Sequence, residues 1–252
     1  MRKAIFITSR TDSSRLPNKA LLKILGRHVI EHIMRRAKLA QGIDEIVLCT
    51  TERSVDNELI RLAEKCGVSF FRGNLEDKLE RWLGAARQFN IDFFVTFDGD
   101  DLFCDPELIE LAVSQMESGN YDFIKAPYGL VCGGFTYAIK VSALEKVCQI
   151  KNTTDTEMMW VYFENTGLFS LGDLNVQNPI YFSEDIRLTL DYPEDFSFFS
   201  AVFKQLNCLD NDLPLKEIME FLKSNPDVPK INVFRQADFL ANQKRKTKLV
   251  LK

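Results

Sequence analysis

The chain has 252 residues, with 32 Lys and Arg against 36 Asp and Glu, a formal net charge of -4, 46% apolar residues and 20 Phe. That apolar fraction excludes a disordered chain, and no apolar run approaches the ~18 residues that a membrane-spanning helix needs. Residues 230–252 carry seven Lys and Arg against one Asp, so the first 229 residues are distinctly acidic. This excludes a general nucleic-acid-binding domain with a basic face. The N-terminus, MRKAIFITSRTDSS, has no apolar stretch of signal-peptide length, and a cytoplasmic location is expected. Six Cys at wide spacings, with no CxxC and only two His, exclude a Cys/His zinc site. The cysteines read as small apolar core residues, and any metal must be held by carboxylates, as a hard cation such as Mg²⁺ would be.

In chain order, Lys3–Thr8 (KAIFIT) predicts a buried strand and Val29–Ala40 a helix with Ile30, Ile33, Met34 and Ala37 on one face. Glu45–Thr50 predicts a second strand, Asp56–Lys65 a helix, Ser69–Phe71 a short strand, Leu75–Phe89 a helix and Asp92–Phe97 a strand. Asp105 and Pro106 open the next helix, a cap followed by a proline where its missing N–H costs nothing. Strands separated by helices of this length imply βαβ units, hence an α/β fold with a mostly parallel sheet.

From Asp122 the pattern shortens: strands at Asp122–Ala126 and Gly134–Lys140, a helix-like stretch at Thr153–Glu164, a strand at Arg187–Leu190, and helices at Pro193–Leu206 and Leu215–Lys223. The expected organisation is an α/β core of residues 1–121 and 186–228, an inserted subdomain of residues 122–185, and a basic tail of residues 229–252. In Met158, Met159, Trp160 and Phe163 the pattern reads as helix packing, with a dimer face as the second option. The tail reads as a solvated, partly frayed terminus.

Three stretches carry chemistry. The first is Ser9–Lys19 (SRTDSSRLPNK), on the loop leaving the first strand, which in such a sheet faces the ligand crevice. Arg10, Arg15 and Lys19 with Ser9, Ser13 and Ser14 offer many donors to a polyphosphate, although the GxxxxGK[ST] spacing is absent. Phosphate binding and a solvated basic loop are both compatible with that composition. The second is Asp98-Gly99-Asp100-Asp101 at a strand end, where adjacent carboxylates repel unless a cation sits among them. A bound divalent ion or a solvated Asx turn would each account for it. The third is Arg187–Asp195 (RLTLDYPED), where Asp191 reads as a helix cap or as a second metal ligand facing Asp100.

Together these stretches resemble the cytidylyltransferase family that contains CMP-Kdo synthetases, CMP-nonulosonate synthetases and spore-coat polysaccharide proteins of the SpsF type. The carriers are R-x-x-S-[ST]-R-L-P-x-K from Arg10, the strand-end Gly99-Asp100, and D-x-P-E-D from Asp191. The SpsF-like branch is most similar, through Phe71–Arg81 (FRGNLEDKLER) and Arg187–Asp195. The resemblance implies a GT-A-like, nucleotide-diphospho-sugar-transferase Rossmann-type fold and a CTP-dependent enzyme working as a homodimer. It implies that Arg10, Arg15 and Lys19 hold the triphosphate, Ser9 and Ser13 lie beside it, and Asp100 and Asp191 ligate Mg²⁺. Thr50, Thr51 and Arg72, Gly73 and Asn74 would lie near cytosine and ribose. The acceptor would be an acidic sugar or a phosphonate- or phosphate-bearing molecule in surface polysaccharide or related biosynthesis. A GT-A glycosyltransferase and a non-catalytic nucleotide-binding partner protein are the alternatives, opposed respectively by the cationic loop and by the presence of all five charged residues.

The chain departs from the family at Pro17-Asn18-Lys19-Ala20, where a Gly usually stands at residue 18; Asn tolerates φ > 0, so the turn should survive. Asp101 adds a carboxylate after Gly99-Asp100, and of the usual R-E-H-V only Glu157 is present. The middle segment departs most, since Pro127–Thr136 also lacks a Glu usual in the branch, and the resemblance makes that segment, residues 122–185, the one that receives the acceptor or dimerises.

Overall fold

A computed structural model describes all residues, 1–252. Its strands are β1 (Lys3–Thr8), β2 (Lys23–Ile24), β3 (Arg27–His28), β4 (Glu45–Thr51), β5 (Ser69–Gly73), β6 (Phe93–Asp98), β7 (Phe123–Lys125), β8 (Tyr137–Lys140) and β9 (Leu171–Asp173). Its helices are α1 (Val29–Ala37), α2 (Asn57–Cys66), α3 (Lys78–Phe89), α4 (Pro106–Ser118), α5 (Val141–Ile150), α6 (Val161–Glu164), α7 (Pro193–Gln205), α8 (Leu215–Ser224) and α9 (Arg235–Lys246). Seven strands form one sheet in the order β5-β4-β1-β6-β8-β7-β9, while β2 and β3 make a separate hairpin. The block β5-β4-β1-β6 is parallel; β8 runs antiparallel to both β6 and β7.

Alternation along the central strands explains why both faces are covered. Ile5 and Ile7 of β1 face one apolar cluster with α1, α2, α4, α7 and α8, whereas Ala4 and Phe6 face another with α3, α5 and α6. All four are fully buried, so β1 is sealed on both sides, as a central parallel strand must be. The chain fills positions to one side of β1 and then crosses to β6 on the other. The carboxyl ends of β1 and β6 therefore flank a topological switch point, where an open α/β sheet leaves its ligand crevice.

From residues 122–185, β7, β8 and β9 all extend the central sheet. Three expectations are corrected. Thr153–Glu164 is helical only at α6, because Thr153 and Thr156 use their hydroxyls elsewhere. The Thr153 hydroxyl accepts from Asp155 N–H at 3.1 Å, and that of Thr156 donates to Asp77 and accepts from Leu79 N–H, pinning the start of α3. Arg187–Leu190 is extended but does not enter the sheet. Its amides instead meet loop carbonyls, Leu188 N–H to Cys132 at 2.8 Å and Leu190 N–H to Asp100 at 2.8 Å, so it crosses the strand ends. The tail is not simply solvated: α9 packs back over the crevice, and Leu251 bridges to Lys151.

Asp105 precedes Pro106 at the start of α4 as the spacing predicts, and is fully buried with the Arg36 guanidinium 3.8 Å away. Burial pushes its carboxyl up to about 6 against the pull of Arg36. The folded chain thus keeps a proton that the unfolded chain releases, and stability falls as pH rises from the ordinary Asp value through about 6. Asp105→Asn, neutral at every pH, is expected to raise stability by roughly 2 kcal/mol at pH 8 and by much less at pH 4.5. Melting curves at the two pH values check this; an equal change at both contradicts it.

Candidate active site

The loop after β1 is held in shape by a buried acid. Asp56 accepts from the Thr11 amide at 2.8 Å and its hydroxyl at 2.7 Å, and from the Thr51 hydroxyl at the end of β4. Asn18 turns the loop with φ 54°, the left-handed conformation its side chain tolerates, and leads directly into Lys19. Gly99 lets the β6 loop lie against the end of β1: an added Cβ would stand 2.6 Å from the Thr8 carbonyl oxygen. The loops carrying Ser9–Lys19 and Asp98–Asp101 therefore share one crevice of about 590 Å³, which Ser9, Arg10, Ser13, Arg15, Lys19, Asp98, Asp100, Asp101 and Asp191 all line.

At its floor the cations and carboxylates are interlocked. Lys19 Nζ lies 2.6 Å from Asp100 Oδ2, 3.1 Å from Asp191 Oδ1 and 2.8 Å from the Leu190 carbonyl. Arg15 also pairs with Asp191, and Arg187 donates to the other oxygen of Asp191 at 2.8 Å. Asp191 is placed by the turn that follows it. The first residue before α7 is Tyr192, and Asp195 accepts from the amides of both Asp191 and Tyr192, at 2.8 and 2.9 Å. Asp191 is thus not the helix cap; its carboxylate is turned to the crevice. Arg187, with 0% of its side chain exposed, donates to Asp195 at 3.1 Å and to Gln236 of α9 at 2.9 Å.

The electrostatics follow from this packing. Burial alone would raise the Asp191 carboxyl, yet Lys19, Arg15 and Arg187 hold it well below the usual carboxylate range. Burial also opposes the charge on Lys19, and Asp100 and Asp191 outweigh it, so the ammonium stays protonated. Asp100 and Asp101 are raised, first by burial and then by neighbouring acids, with Lys19 opposing the rise at Asp100. The expected repulsion within the acidic turn is thus answered, at Asp100, by a lysine of the same chain.

The donor set fits a hard divalent cation. Two carboxylates from separate segments converge within 3.1 Å of one cationic centre. No cluster of three or more His, Cys, Asp or Glu is arranged to hold a metal alone. Two carboxylates suffice for Mg²⁺, which keeps several waters and takes further oxygens from substrate phosphates.

The structure does not bring the whole expected base and ribose set to the crevice. Thr50 is sealed in the core. Arg72 spends its guanidinium on the carbonyls of Thr51, Glu52 and Arg53, at 3.2, 2.7 and 3.2 Å. Gly73 packs beneath Phe71 and Arg81, and the Asn74 carboxamide accepts from the Glu76 and Asp77 amides at 2.9 and 3.0 Å. These residues shape the loop before α3. The residues of that region that reach the crevice are Leu75, Glu76, Lys78 and Arg81, the last bonded to the Asn74 and Leu75 carbonyls.

The sequence reading also missed α9. Gln236, Phe239, Leu240, Gln243 and Lys246 line the same crevice as the β1 loop, together with Glu157, Met158 and Trp160. Lys246 pairs with Glu157 at 2.9 Å, and the Arg187 guanidinium lies 4.5 Å from the Phe239 ring centroid. Basic composition masked this helix; the apolar pair Phe239 and Leu240 was its only packing signal. Met159, just before α6, and Phe163, within it, are buried in the second apolar cluster, which is the packing role expected of them.

Comparisons with known proteins agree with this geometry. The cytidylyltransferase family model matches residues 4–221. An uncharacterized protein of Methanocaldococcus jannaschii is 31% identical over 229 residues, covering 90% of this chain and 92% of its own length. The spore coat polysaccharide biosynthesis protein SpsF of Bacillus subtilis is 23% identical over 228 residues, covering 88% and 94%. A 3-deoxy-manno-octulosonate cytidylyltransferase of Anaeromyxobacter dehalogenans is 30% identical over 119 residues, 46% of this chain and 48% of its own. Among solved structures, a cytidylyltransferase from Leptospira borgpetersenii superposes with a TM-score of 0.82 at 27% identity, over 90% of this chain and 96% of that one. A CMP:2-keto-3-deoxy-manno-octonic acid synthetase complexed with CTP shares the fold, with a TM-score of 0.62 at 18% identity over 81% and 99%. The expected nucleotide-diphospho-sugar-transferase-like fold is therefore the one this sheet adopts. With the family match running from β1 through most of α8, and a relative of this identity along nearly its whole length, the chain belongs to the cytidylyltransferase family.

Proposed function

We propose that the chain transfers CMP from CTP to a small anionic acceptor, with Mg²⁺ and release of pyrophosphate. The observation that carries this reading is the convergence of Lys19, Arg15, Asp100 and Asp191 at the switch point between β1 and β6. An acceptor oxygen attacks the α-phosphorus while the bond to the β-phosphate oxygen breaks and pyrophosphate departs. Negative charge grows on the departing and equatorial oxygens, so fixed positive charge at the crevice floor stabilises that transition state more than the bound substrate. Arg10 and Arg15 offer forked donors to the phosphates, Lys19 a point charge, and the Ser9 and Ser13 hydroxyls lie beside them. Asp100 and Asp191 would hold Mg²⁺, which when bound supplies Lewis-acid stabilisation of the phosphoryl oxygens.

The acceptor belongs on the part of the crevice that α9 lines. Glu157, Met158, Trp160 and α9 there combine an apolar face with the Gln236 and Gln243 amides and the Lys246 cation. That mixture suits a sugar-like ring or polyol bearing a carboxylate, phosphonate or phosphate. The names of the similar proteins, SpsF and 3-deoxy-manno-octulosonate cytidylyltransferase, favour a step in surface polysaccharide or related biosynthesis.

Because a ligand that binds only the folded chain raises its melting temperature, CTP with Mg²⁺ is expected to raise it by several degrees, more than ATP, GTP or UTP does. Equal shifts from all four nucleotides contradict the cytidine assignment.

A further inference from the structure

Lys19 is bonded in a way that has a consequence for how the site fills. An ammonium has three N–H donors and no acceptor. Here the three acceptors around it, Asp100 Oδ2, Asp191 Oδ1 and the Leu190 carbonyl, match that number, and only 14% of the side chain is exposed. Those two carboxylate oxygens are the ones assigned above to the divalent cation. Arg15 adds a second cation on the same Asp191 oxygen, and Arg187 fixes the other oxygen from behind.

We propose that Lys19 is an internal competitor for the metal site: its ammonium occupies the oxygen pair of Asp100 and Asp191 and yields it only when a polyphosphate offers the ammonium new acceptors. This rests on the CTP and Mg²⁺ reading above. A lone divalent ion must displace a buried ammonium that then has no anion to pair with, and an unpaired buried charge is strongly unfavourable. It would also leave Arg15 facing a doubly charged ion across one carboxylate. Metal and nucleotide therefore enter as a unit, and the carboxylates stay neutralised, and correctly spaced, between turnovers. The exchange involves no bond making: one ammonium changes partners from carboxylate to phosphate oxygens.

The test is Mn²⁺ binding, followed by the loss of the free-ion electron paramagnetic resonance signal, on the full chain without nucleotide. Wild type is expected to bind weakly, and Lys19→Met at least about tenfold more tightly, since two facing carboxylates lose their internal counter-ion. The same substitution should weaken binding of CTP with Mn²⁺, so the two affinities move in opposite directions. A lysine that merely held the loop together would weaken both. Lys19→Gln, similar in length and still able to donate to the Leu190 carbonyl, carries the same expectation, and circular dichroism checks the fold of each variant. Adding Asp100→Asn to Lys19→Met should abolish the gain; a gain that persists overturns the proposal, as does Mn²⁺ binding no tighter in Lys19→Met than in wild type. If CTP promotes Mn²⁺ binding to wild type while Lys19→Met shows no gain, the competitor role fails and the CTP reading stands. If Lys19→Met gains Mn²⁺ affinity while CTP promotes none in wild type, the competitor role is supported and the CTP reading fails.

Discussion

Asp100→Asn is expected to lower pyrophosphate release from CTP by about a thousandfold while moving the melting temperature by only a few degrees. The activity loss follows because a neutral amide is a far poorer ligand for a hard cation and no third acid takes its place. The small stability change follows from two opposed terms. Lys19 loses one of its two carboxylate partners, yet Asp98, Asp101 and Asp191 lose a like charge among them. Steady-state pyrophosphate release and a melting curve on the same preparation check both halves. Full activity contradicts the metal assignment, and collapse of the fold contradicts the charge argument.

Arg187→Met is expected to have the largest effect on stability, a loss of about 3–5 kcal/mol, because a fully buried cation is removed from two buried carboxylates. For a chain of this size that corresponds to roughly 10 °C or more in melting temperature. Arg187 also holds Gln236 of α9 and stacks near Phe239, so the crevice wall should loosen with it. Adding Asp195→Asn should recover part of the loss by removing one stranded charge. The recovery is partial because Asp195 also accepts from the Asp191 and Tyr192 amides and from Asn232. Denaturant unfolding of the single and double variants measures this coupling; additive effects contradict it.

Arg187 also shows why the sequence was only partly legible. Its neighbours in the motif Arg187–Asp195 suggested a strand followed by a helix, and the helix forms. The strand does not, because its amides pair with Cys132 and Asp100 in loops whose positions no local pattern encodes. By contrast, β1, β4 and β6 carry near-continuous apolar runs, and their burial on both faces made the parallel sheet readable. The cationic loop and the acidic turn were readable as separate pieces because each is local. What periodicity could not supply was that Lys19 and Arg15 lie on the very carboxylates assigned to the metal, across 81 and 176 residues of sequence. The resemblance alone places Arg72 and Asn74 near the nucleotide; in the structure the Arg72 guanidinium and the Asn74 carboxamide satisfy the loop's own carbonyls and amides, which no local pattern predicts. The wall made by α9 was hidden by its charge, since a run such as QKRKTK reads as solvated unless its apolar neighbours are known to meet a partner.

The most direct measurement is to incubate the chain with CTP and Mg²⁺ and a panel of ulosonic acids, phosphonates and sugar or polyol phosphates, following pyrophosphate and the CMP-linked product by mass spectrometry. The account predicts a CMP adduct of at least one anionic acceptor, formed with one pyrophosphate per product and lost in Asp100→Asn. Transfer of a sugar from a nucleoside diphosphate sugar, or CTP that binds and yields neither pyrophosphate nor a CMP adduct with any member of the panel, would contradict it.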